Sequence, residues 1–435
     1  MSNGTQAIDT RKLESSVWAK IASQGCDTRQ LQGATETEVA IVGAGFTGTS
    51  TALHLAEKGI DSVVLEAEQI GFGCSSRNQG TLAGGYYAST PGMIKASYGQ
   101  ERGDRMNRMM AASTSLVFEL VEKHRIECGL VNTGLIWAGK TEKERLGLEQ
   151  AASEWKEYGV EVEALQSSEL PDYLGTDYYH SGHIIRKFGR INPAAYVRGL
   201  AIAAQNAGAR IFTDSRVLAI EPYGKKWKVK TATGEVVANK ILIGTNGTTD
   251  NLWPGLRSSF FLAPVHMTAT DPLEDGGLSM IPKGVPFHDT SKLTFFGVLL
   301  DHEGRLTGGV MPTFNINAPI EKVTQPINWK YAKLYPDLPL PEWKHLWLGR
   351  MCMTSDSVAR VYRLDNNVYA AMGYSGAGIA PATAMGKEVA GLLAGSESDC
   401  AWPISGLKPF RLKPVFETGL KFVGGPLLRQ GYRFV

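Results

Sequence analysis

The chain has 435 residues, of which 43% are hydrophobic and 20% are charged, and its formal net charge is +2. This length exceeds what one simple layered core accommodates, so we expect a soluble protein of two intertwined domains. The small net charge argues against a nucleic-acid partner, which would favour a strongly basic surface.

Cysteine usage and the apolar runs exclude further classes of protein. Five cysteines occur without Cys-x-x-Cys spacing, which argues against a zinc site, and their odd number argues against a disulfide framework. The sequence lacks the basic and apolar regions of a secretory signal, and its apolar runs are shorter than a transmembrane helix requires. We therefore expect reduced thiols, no metal site and a cytoplasmic location.

The first regular unit follows a polar N-terminal extension at residues 1–35, in which Val17, Trp18 and Ile21 predict a short helix that packs on the body. The elements predicted next are a buried strand at 38–42, a helix at 49–58 and a second apolar strand at 61–65. A strand, helix and strand in this order form a βαβ unit, which is typical of a parallel sheet.

A glycine-rich turn joins the first of these strands to the helix. Its residues are Gly43, Ala44, Gly45, Phe46, Thr47 and Gly48. The glycines allow a tight turn, close approach of a pyrophosphate and a close helix–strand contact, and the helix N-terminus presents N–H groups to phosphates. Glu66, followed by Ala67, ends the next strand at the distance where a carboxylate can hold ribose hydroxyls and repel the 2′-phosphate of NADP. This context favours a dinucleotide site over a coincidental glycine turn.

Two further segments favour FAD over NAD. The segment 71–80 is dense in small hydrogen-bond donors, and 373–380 opens a helix whose N-terminus can stabilise negative charge on a reduced flavin. The residues predicted to bind FAD in these segments are Ser75, Ser76, Arg77, Asn78, Gln79, Gly80, Gly373, Tyr374, Ser375, Gly376, Gly378, Ile379 and Ala380.

The remaining pattern predicts two domains of different construction. Asn192 and Pro193 open a helix that runs to about Asn206, and the stretch 255–345 favours strands of a mostly antiparallel sheet. We predict an α/β fold: a Rossmann-type FAD-binding domain with a parallel sheet and helices, discontinuous in sequence, plus a smaller α+β substrate domain with a mostly antiparallel sheet. The predicted boundaries are 36–90, 186–250 and 346–400 for the FAD-binding domain, 91–185 and 251–345 for the substrate domain, and 401–435 for a C-terminal tail.

With these segments the chain resembles the D-amino-acid-oxidase-like (DAO) family of FAD-dependent oxidoreductases. Within it, the sequence is similar to the γ-glutamylputrescine oxidase and L-pipecolate oxidase-like branch, from about Trp18 to Leu393. The resemblance implies further cofactor contacts at Val217, Thr245, Asn246, Gly247 and Gly349. It also implies an enzyme that oxidises a C–N bond of a small amine or amino acid, by hydride transfer to flavin N5 and hydrolysis of the resulting imine.

The chain departs from that branch at three positions. Ala377 stands where the branch usually has His, Ser355 stands where it has Pro, and Gly297 follows two phenylalanines where it has an Arg able to bind a carboxylate. These departures predict a substrate other than that of the branch's namesake.

The resemblance also bears on how the flavin is attached. Some relatives bind it covalently through a cysteine near Cys352, but the alignment places Cys352 about one residue from that position. We therefore favour non-covalent FAD, with Cys352 as a buried structural thiol and Cys74 as a small residue of the flavin-side loop.

Candidate substrate contacts are mostly aromatic, and the flavin itself carries the chemistry, so no catalytic side chain is assigned. The candidates are Tyr86, Tyr87, Phe296, Met353 and Tyr374 for the wall and Arg350 for a substrate carboxylate. Core packing is the alternative for each wall residue, and solvent or an internal carboxylate is the alternative partner for Arg350.

The electron acceptor is oxygen or a quinone. The segment 304–308 lacks a Lys like that of oxygen-activating relatives, which favours a slow oxidase or a dehydrogenase that reduces a quinone. A flavin-binding subunit without turnover is an alternative of another class, against which the intact cofactor loops argue. The basic C-terminal tail suggests peripheral membrane contact, although packing on the protein's own surface is favoured.

Overall fold

A computed structural model describes residues 12–22, 25–86, 88–290, 297–310 and 316–410. Two predicted substrate contacts, Tyr87 and Phe296, and the greater part of the predicted C-terminal tail lie outside the described residues. Among the helices that are described, none is both long and apolar enough to cross a membrane.

Helices and strands alternate through most of the described chain. The helices are α1 (Val17–Ile21), α2 (Phe46–Ala56), α3 (Pro91–Tyr98), α4 (Gln100–His124), α5 (Glu142–Lys156), α6 (Leu170–Leu174), α7 (Pro193–Asn206), α8 (Ile320–Leu334) and α9 (Ile379–Leu393). Short 3-10 helices span Leu13–Ser15, Cys74–Ser76, Asn246–Thr248, Leu256–Ser258 and Glu397–Asp399. The strands are β1 (Gly33–Val42), β2 (Ser62–Leu65), β3 (Thr81–Leu82), β4 (Leu135–Gly139), β5 (Val162–Leu165), β6 (Ser181–Ile185), β7 (Gly189–Arg190), β8 (Arg210–Phe212), β9 (Ala219–Tyr223), β10 (Lys226–Lys230), β11 (Gly234–Ile243), β12 (Phe261–Pro272), β13 (Phe287–Asp289), β14 (Gly297–Leu300), β15 (Arg305–Val310), β16 (Trp343–Met353), β17 (Arg360–Asp365), β18 (Val368–Met372) and β19 (Ile404–Ser405).

The first sheet is the predicted nucleotide-binding layer. Its strand order is β8-β2-β1-β11-β18-β17-β19, and the five strands from β8 to β18 pair in parallel. The second half of β1, 39–42, is buried on both faces: Val39 and Ile41 pack in a core with helices α2, α7 and α9, and Ala40 and Val42 pack in a second core formed by strands and loops. Strand β10 pairs antiparallel with β11, and β9 pairs antiparallel with β10 at the outer side of this hairpin. The Rossmann-type domain is confirmed, with three distant parts of the chain in one sheet.

The second sheet covers the other half of the molecule. Its order is β16-β12-β15-β14-β13-β4-β6-β5, and every pair is antiparallel except β13 with β4. The prediction of a mostly antiparallel second sheet is confirmed. Strand β16 crosses the proposed boundary at residue 346, because its pairing with β12 along most of its length holds it in this sheet.

Two helices differ from the pattern read in the sequence. Helix α8 lies within the stretch expected to contain strands, and its buried stripe includes Val323, Ile327 and Tyr331 at helical spacing. Pro326 lies inside this helix and obscured its periodicity. Helix α4 lies within the proposed substrate domain but packs on α9, and its buried side chains join the core of the first sheet.

Local capping explains why the helix after residue 192 begins as predicted. The Asn192 Oδ1 atom accepts hydrogen bonds from the N–H groups of Ala194 and Ala195, at 3.0 and 3.1 Å. Pro193 occupies the first helical turn, where its missing N–H group is not needed. These two residues start α7 at Pro193, and Gly208 follows its end.

Candidate active site

The glycine-rich loop brings the end of β1 against the start of α2. Gly43 has φ +102°, a conformation that favours glycine. A Cβ atom on Gly48 would lie 1.9 Å from the Gly43 carbonyl oxygen, and one on Gly45 would lie 2.9 Å from Ser75 Oγ. The loop therefore has the tight turn and the close backbone contact that the spacing predicts.

The start of α2 is open to a ligand. Gly45 is the N-cap and provides no side-chain hydrogen bond, while the Phe46 N–H group donates to Ser75 Oγ at 3.1 Å. An α-helix leaves its first N–H groups without intrahelical partners, and their summed dipoles favour an anion. This helix end is consequently suited to a pyrophosphate.

Glu66 braces the same loop from the end of β2. Its Oε2 atom accepts a hydrogen bond from the Ala44 N–H group at 2.8 Å, and its Oε1 atom accepts one from the Glu68 N–H group at 3.1 Å. Burial raises the pKa of Glu66, while these N–H groups oppose the rise. The carboxylate thus both fixes the loop and lines the neighbouring cavity.

Two adjoining cavities form an elongated site. The first, about 340 Å³, is called the ADP cavity; the second, about 240 Å³, is called the flavin cavity. Predicted residues that line the ADP cavity are Gly43, Gly45, Glu66, Ala67, Ser75, Arg77, Val217, Thr245, Asn246, Gly247 and Arg350. Predicted residues that line the flavin cavity are Gly45, Phe46, Thr47, Ser75, Arg77, Asn78, Gln79, Tyr86, Asn246, Gly349, Arg350, Tyr374, Ser375, Gly376, Gly378 and Ile379. The residues common to both show that the two cavities lie side by side.

The other predicted contacts lie outside the walls of both cavities. Predicted contacts that line neither cavity are Gly48, Ser76, Gly80, Gly373, Ala380 and Met353. Met353 instead pairs with Phe261 at the edge of the second sheet. Cys352, the candidate for covalent attachment, lines the flavin cavity and is buried in β16.

A second open helix N-terminus faces the flavin cavity. Helix α9 has Gly378 as its N-cap without a side-chain hydrogen bond, and the loop before it lines the cavity. The buried Tyr374 hydroxyl lies 2.6 Å from Thr47 Oγ1, so this loop is tied directly to the first turn of α2. Two helix starts therefore meet at one site, which suits the phosphates and the flavin of a single cofactor.

The flavin-side loop at 71–80 is held by the N-terminal segment. The Trp18 indole N–H donates to the Asn78 carbonyl oxygen at 2.8 Å, and Ser16 Oγ donates to the Ser76 carbonyl oxygen at 2.8 Å. The Trp18 ring meets Trp347 edge to face, with 6.5 Å between centroids. Helix α1 thus packs on the body as predicted and also fixes the loop.

Several polar side chains of this loop bond to the backbone. Arg77 donates to the carbonyl oxygens of Phe72 and Leu348, at 2.9 and 3.3 Å. The Asn78 amide donates to the carbonyl oxygens of Cys74 and Ser75, at 3.1 and 3.2 Å, so these side chains shape the loop.

Gln79 behaves differently from its neighbours. Its buried amide lines the flavin cavity, and neither its nitrogen nor its oxygen finds a hydrogen-bond partner among the described residues. A buried amide without partners is costly, and a flavin ring offers both donors and acceptors. Together with the two open helix starts and the glycine cradle, this amide fits FAD.

The far wall of the flavin cavity comes from the second sheet and was missed by sequence reasoning. Its members, called the sheet wall, are Trp137, Val265, Met267, His288, Gly309 and Met351. They belong to five strands whose pairing joins distant parts of the chain, so no local motif marks them.

The fold and the two adjoining cavities indicate a Rossmann-type flavoprotein, and comparison with known proteins identifies its family. Residues 38–392 match the DAO family, described as FAD dependent oxidoreductase. The chain is 30% identical over 385 residues to gamma-glutamylputrescine oxidoreductase of Escherichia coli (strain K12), covering 88% of this chain and 89% of that protein. It is 25% identical over 329 residues to glycine oxidase of Geobacillus kaustophilus (strain HTA426), covering 74% of this chain and 82% of that protein.

A solved structure shows the same fold. L-proline dehydrogenase from P. horikoshii superposes with a TM-score of 0.69 and 20% identity, covering 84% of this chain and 94% of that chain. The protein therefore belongs to the DAO family of FAD-dependent oxidoreductases, and it is an enzyme that uses FAD. The resemblance seen in the sequence is confirmed.

Replacing Gly48 tests the loop geometry. In Gly48→Ala the new Cβ atom would overlap the Gly43 carbonyl, so α2 must shift and FAD should bind at least about tenfold more weakly. FAD titration of the apoprotein, followed by flavin fluorescence, measures this change. Gly391→Ala in α9 is the matched control, because its Cβ atom meets nothing within 4 Å. Equal FAD affinity in both variants would contradict the assignment.

Replacing Trp18 tests the contact between the N-terminal segment and the flavin-side loop. Trp18→Ala removes the bond to the Asn78 carbonyl and the packing against Trp347, so we expect FAD affinity to fall by about three- to tenfold. The exposed Lys20 lies on the same helix, and Lys20→Ala is the control. If Trp18→Ala lowers the melting temperature of the apoprotein but leaves FAD affinity unchanged, the segment stabilises the fold without acting on the cofactor.

Proposed function

We propose that the protein oxidises a C–N bond in a small amine or amino acid. Bound FAD supplies the electron acceptor for this chemistry, taking hydride at its N5 atom, and the imine product hydrolyses in water. The observation that carries the proposal is the flavin cavity, which lies between the open start of α9 and the sheet wall. The names of gamma-glutamylputrescine oxidoreductase and glycine oxidase support a substrate that carries an amino group.

In this proposal the cavity walls orient the substrate, and the cavity binds its amino group in the uncharged form. Among the described residues that line the flavin cavity there is no Asp, Glu or Lys. A buried ammonium ion without a carboxylate partner is strongly unfavourable, so the site selects the neutral amine. Holding the reacting C–H bond in a near-attack position is then the main task of the protein.

Tyr86 gives one side of the cavity a fixed shape. Its ring stacks on Trp155 with centroids 5.9 Å apart, and its hydroxyl donates to Asn107 Oδ1 at 3.0 Å. Burial raises the pKa of Tyr86, so the hydroxyl stays protonated. Tyr86 therefore acts as a neutral wall residue and not as a base.

Slow reoxidation by oxygen is the second part of the proposal, with a quinone as the faster acceptor. The segment 304–308 lacks a Lys, and its one cation, Arg305, pairs with Asp301 and Glu303 at 3.2 and 2.6 Å. A cation committed to two carboxylates is poorly suited to stabilise the negative charge that develops when oxygen is reduced.

Acid precipitation tests the mode of flavin attachment. We expect FAD to remain in the supernatant after the protein is denatured with trichloroacetic acid, because FAD is held by hydrogen bonds and packing. Absorbance near 450 nm of the two fractions, which is typical of oxidised flavin, measures the distribution. Yellow colour in the washed pellet that is lost in Cys352→Ser would instead establish covalent attachment at Cys352.

Anaerobic reduction tests the reaction. A panel of amines, N-methyl amino acids and amino acids should include compounds that bleach the absorbance near 450 nm. Recovery of the colour is then expected to be slow with air and faster with a soluble quinone. Fast recovery in air would contradict the proposed acceptor, and failure of the whole panel to bleach the flavin would contradict C–N oxidation and favour a binding subunit without turnover.

A further inference from the structure

Contacts of its own strand hold His288 in the sheet wall. It lies in the short strand β13, where its neighbours Phe287 and Asp289 belong to the opposite face. Phe287 joins the core of the second sheet, and Asp289 pairs with Lys330 at 2.8 Å. These contacts fix the strand, and the His288 side chain, only 4% exposed, lines the flavin cavity.

A glycine on the neighbouring strand makes room for this imidazole. His288 pairs with Gly297 of β14. A Cβ atom on Gly297 would lie 2.2 Å from His288 Cδ2 and 2.8 Å from Nε2. No side chain at 297 can therefore coexist with this position of His288, so the two residues together set the shape of the wall.

Other neighbours hold the ring in its orientation. On the other side of β13, the paired residue is Trp137, whose ring meets the imidazole edge to face with centroids 5.2 Å apart. Thr81 Oγ1 lies 3.5 Å from His288 Nε2. Both of these neighbours of the imidazole are uncharged.

The described residues of the sheet wall offer no counter-charge to a substrate carboxylate. Burial lowers the pKa of His288 to about 4, so the ring is neutral near pH 7. The other members of the sheet wall are also uncharged. The cations among the described lining residues are Arg77, which donates to backbone carbonyls, and Arg350, which lies where the flavin cavity meets the ADP cavity. A carboxylate buried against this wall would remain unpaired, which is costly.

We propose that His288 determines substrate specificity, and that the flavin cavity accepts an amine whose non-reacting part is uncharged where it meets the sheet wall. This inference rests on the proposed function and narrows its substrate class from amines and amino acids to amines without a carboxylate beside the reacting carbon. Arg350, the carboxylate candidate suggested by the sequence, is assigned to the junction with the cofactor.

Binding of unreactive ligands tests the proposal without turnover. FAD-loaded protein is titrated with two pairs of equal shape, benzamide with benzoate and butyramide with butyrate, and the shift of the flavin absorption spectrum is followed. We expect the amide of each pair to bind at least about tenfold more tightly than the acid. Tighter binding of the acids, or no binding of either amide, would overturn the proposal.

Substitution of His288 distinguishes the effect of the sheet wall on ligand preference from the effect of Arg350. In His288→Arg the wall gains a permanent cation, so the preference should shift towards the acids by at least about tenfold, whereas the uncharged His288→Gln should keep the amide preference. A wild-type preference for the acids that disappears in Arg350→Gln would place the carboxylate site at Arg350 and refute the role of His288.

Matched substrates separate this inference from the proposed function. Anaerobic flavin reduction is compared for benzylamine against phenylglycine and for butylamine against norvaline, which differ only by the carboxylate. Faster reduction by the amines supports the inference. Faster reduction by the amino acids contradicts it and leaves C–N oxidation standing. If the amides bind preferentially but no compound reduces the flavin, the proposed function fails and the neutral wall stands.

Discussion

The contact between Gly43 and Gly48 governs the geometry of the whole cofactor region. A side chain at position 48 would meet the Gly43 carbonyl oxygen at 1.9 Å, so α2 can lie this close to β1 only because the residue is glycine. The same closeness is repeated between α2 and α9, where a Cβ atom on Gly386 would lie 2.5 Å from Ser50 Cβ. Two helices packed this closely, with Ser50 and Thr51 of α2 donating to backbone oxygens of α9, bring their open N-termini to one elongated site.

The two sheets contribute different parts of the site. The first sheet and its helices carry the dinucleotide-binding loop, while the second sheet supplies a wall that faces the flavin cavity. Strand β16 connects the two parts, since Gly349 lines the flavin cavity while its strand pairs with β12. Membership of the DAO family accounts for the FAD cofactor, and we propose that the residues of the sheet wall set the substrate preference of this chain.

Local sequence patterns predicted the βαβ unit of the first sheet and the start of helix α7. The βαβ unit and helix α7 depend on glycine spacing and on capping by Asn192, which act within a few residues. The sheet wall depends on pairing between β4 and β13, which no local pattern encodes. Arg77 and Asn78, predicted as cofactor contacts, line the flavin cavity, and their side chains also donate to backbone carbonyls within the loop, which no local pattern indicated.

A crystal structure of the FAD-loaded protein tests the account most directly. We predict that this structure will show the pyrophosphate at the start of α2 and a ribose beside Glu66. We predict the isoalloxazine ring between the loop before α9 and the sheet wall, with His288 next to the space for the substrate. A flavin ring bound away from the start of α9, or a pyrophosphate away from the loop at Gly43, would contradict the central claim.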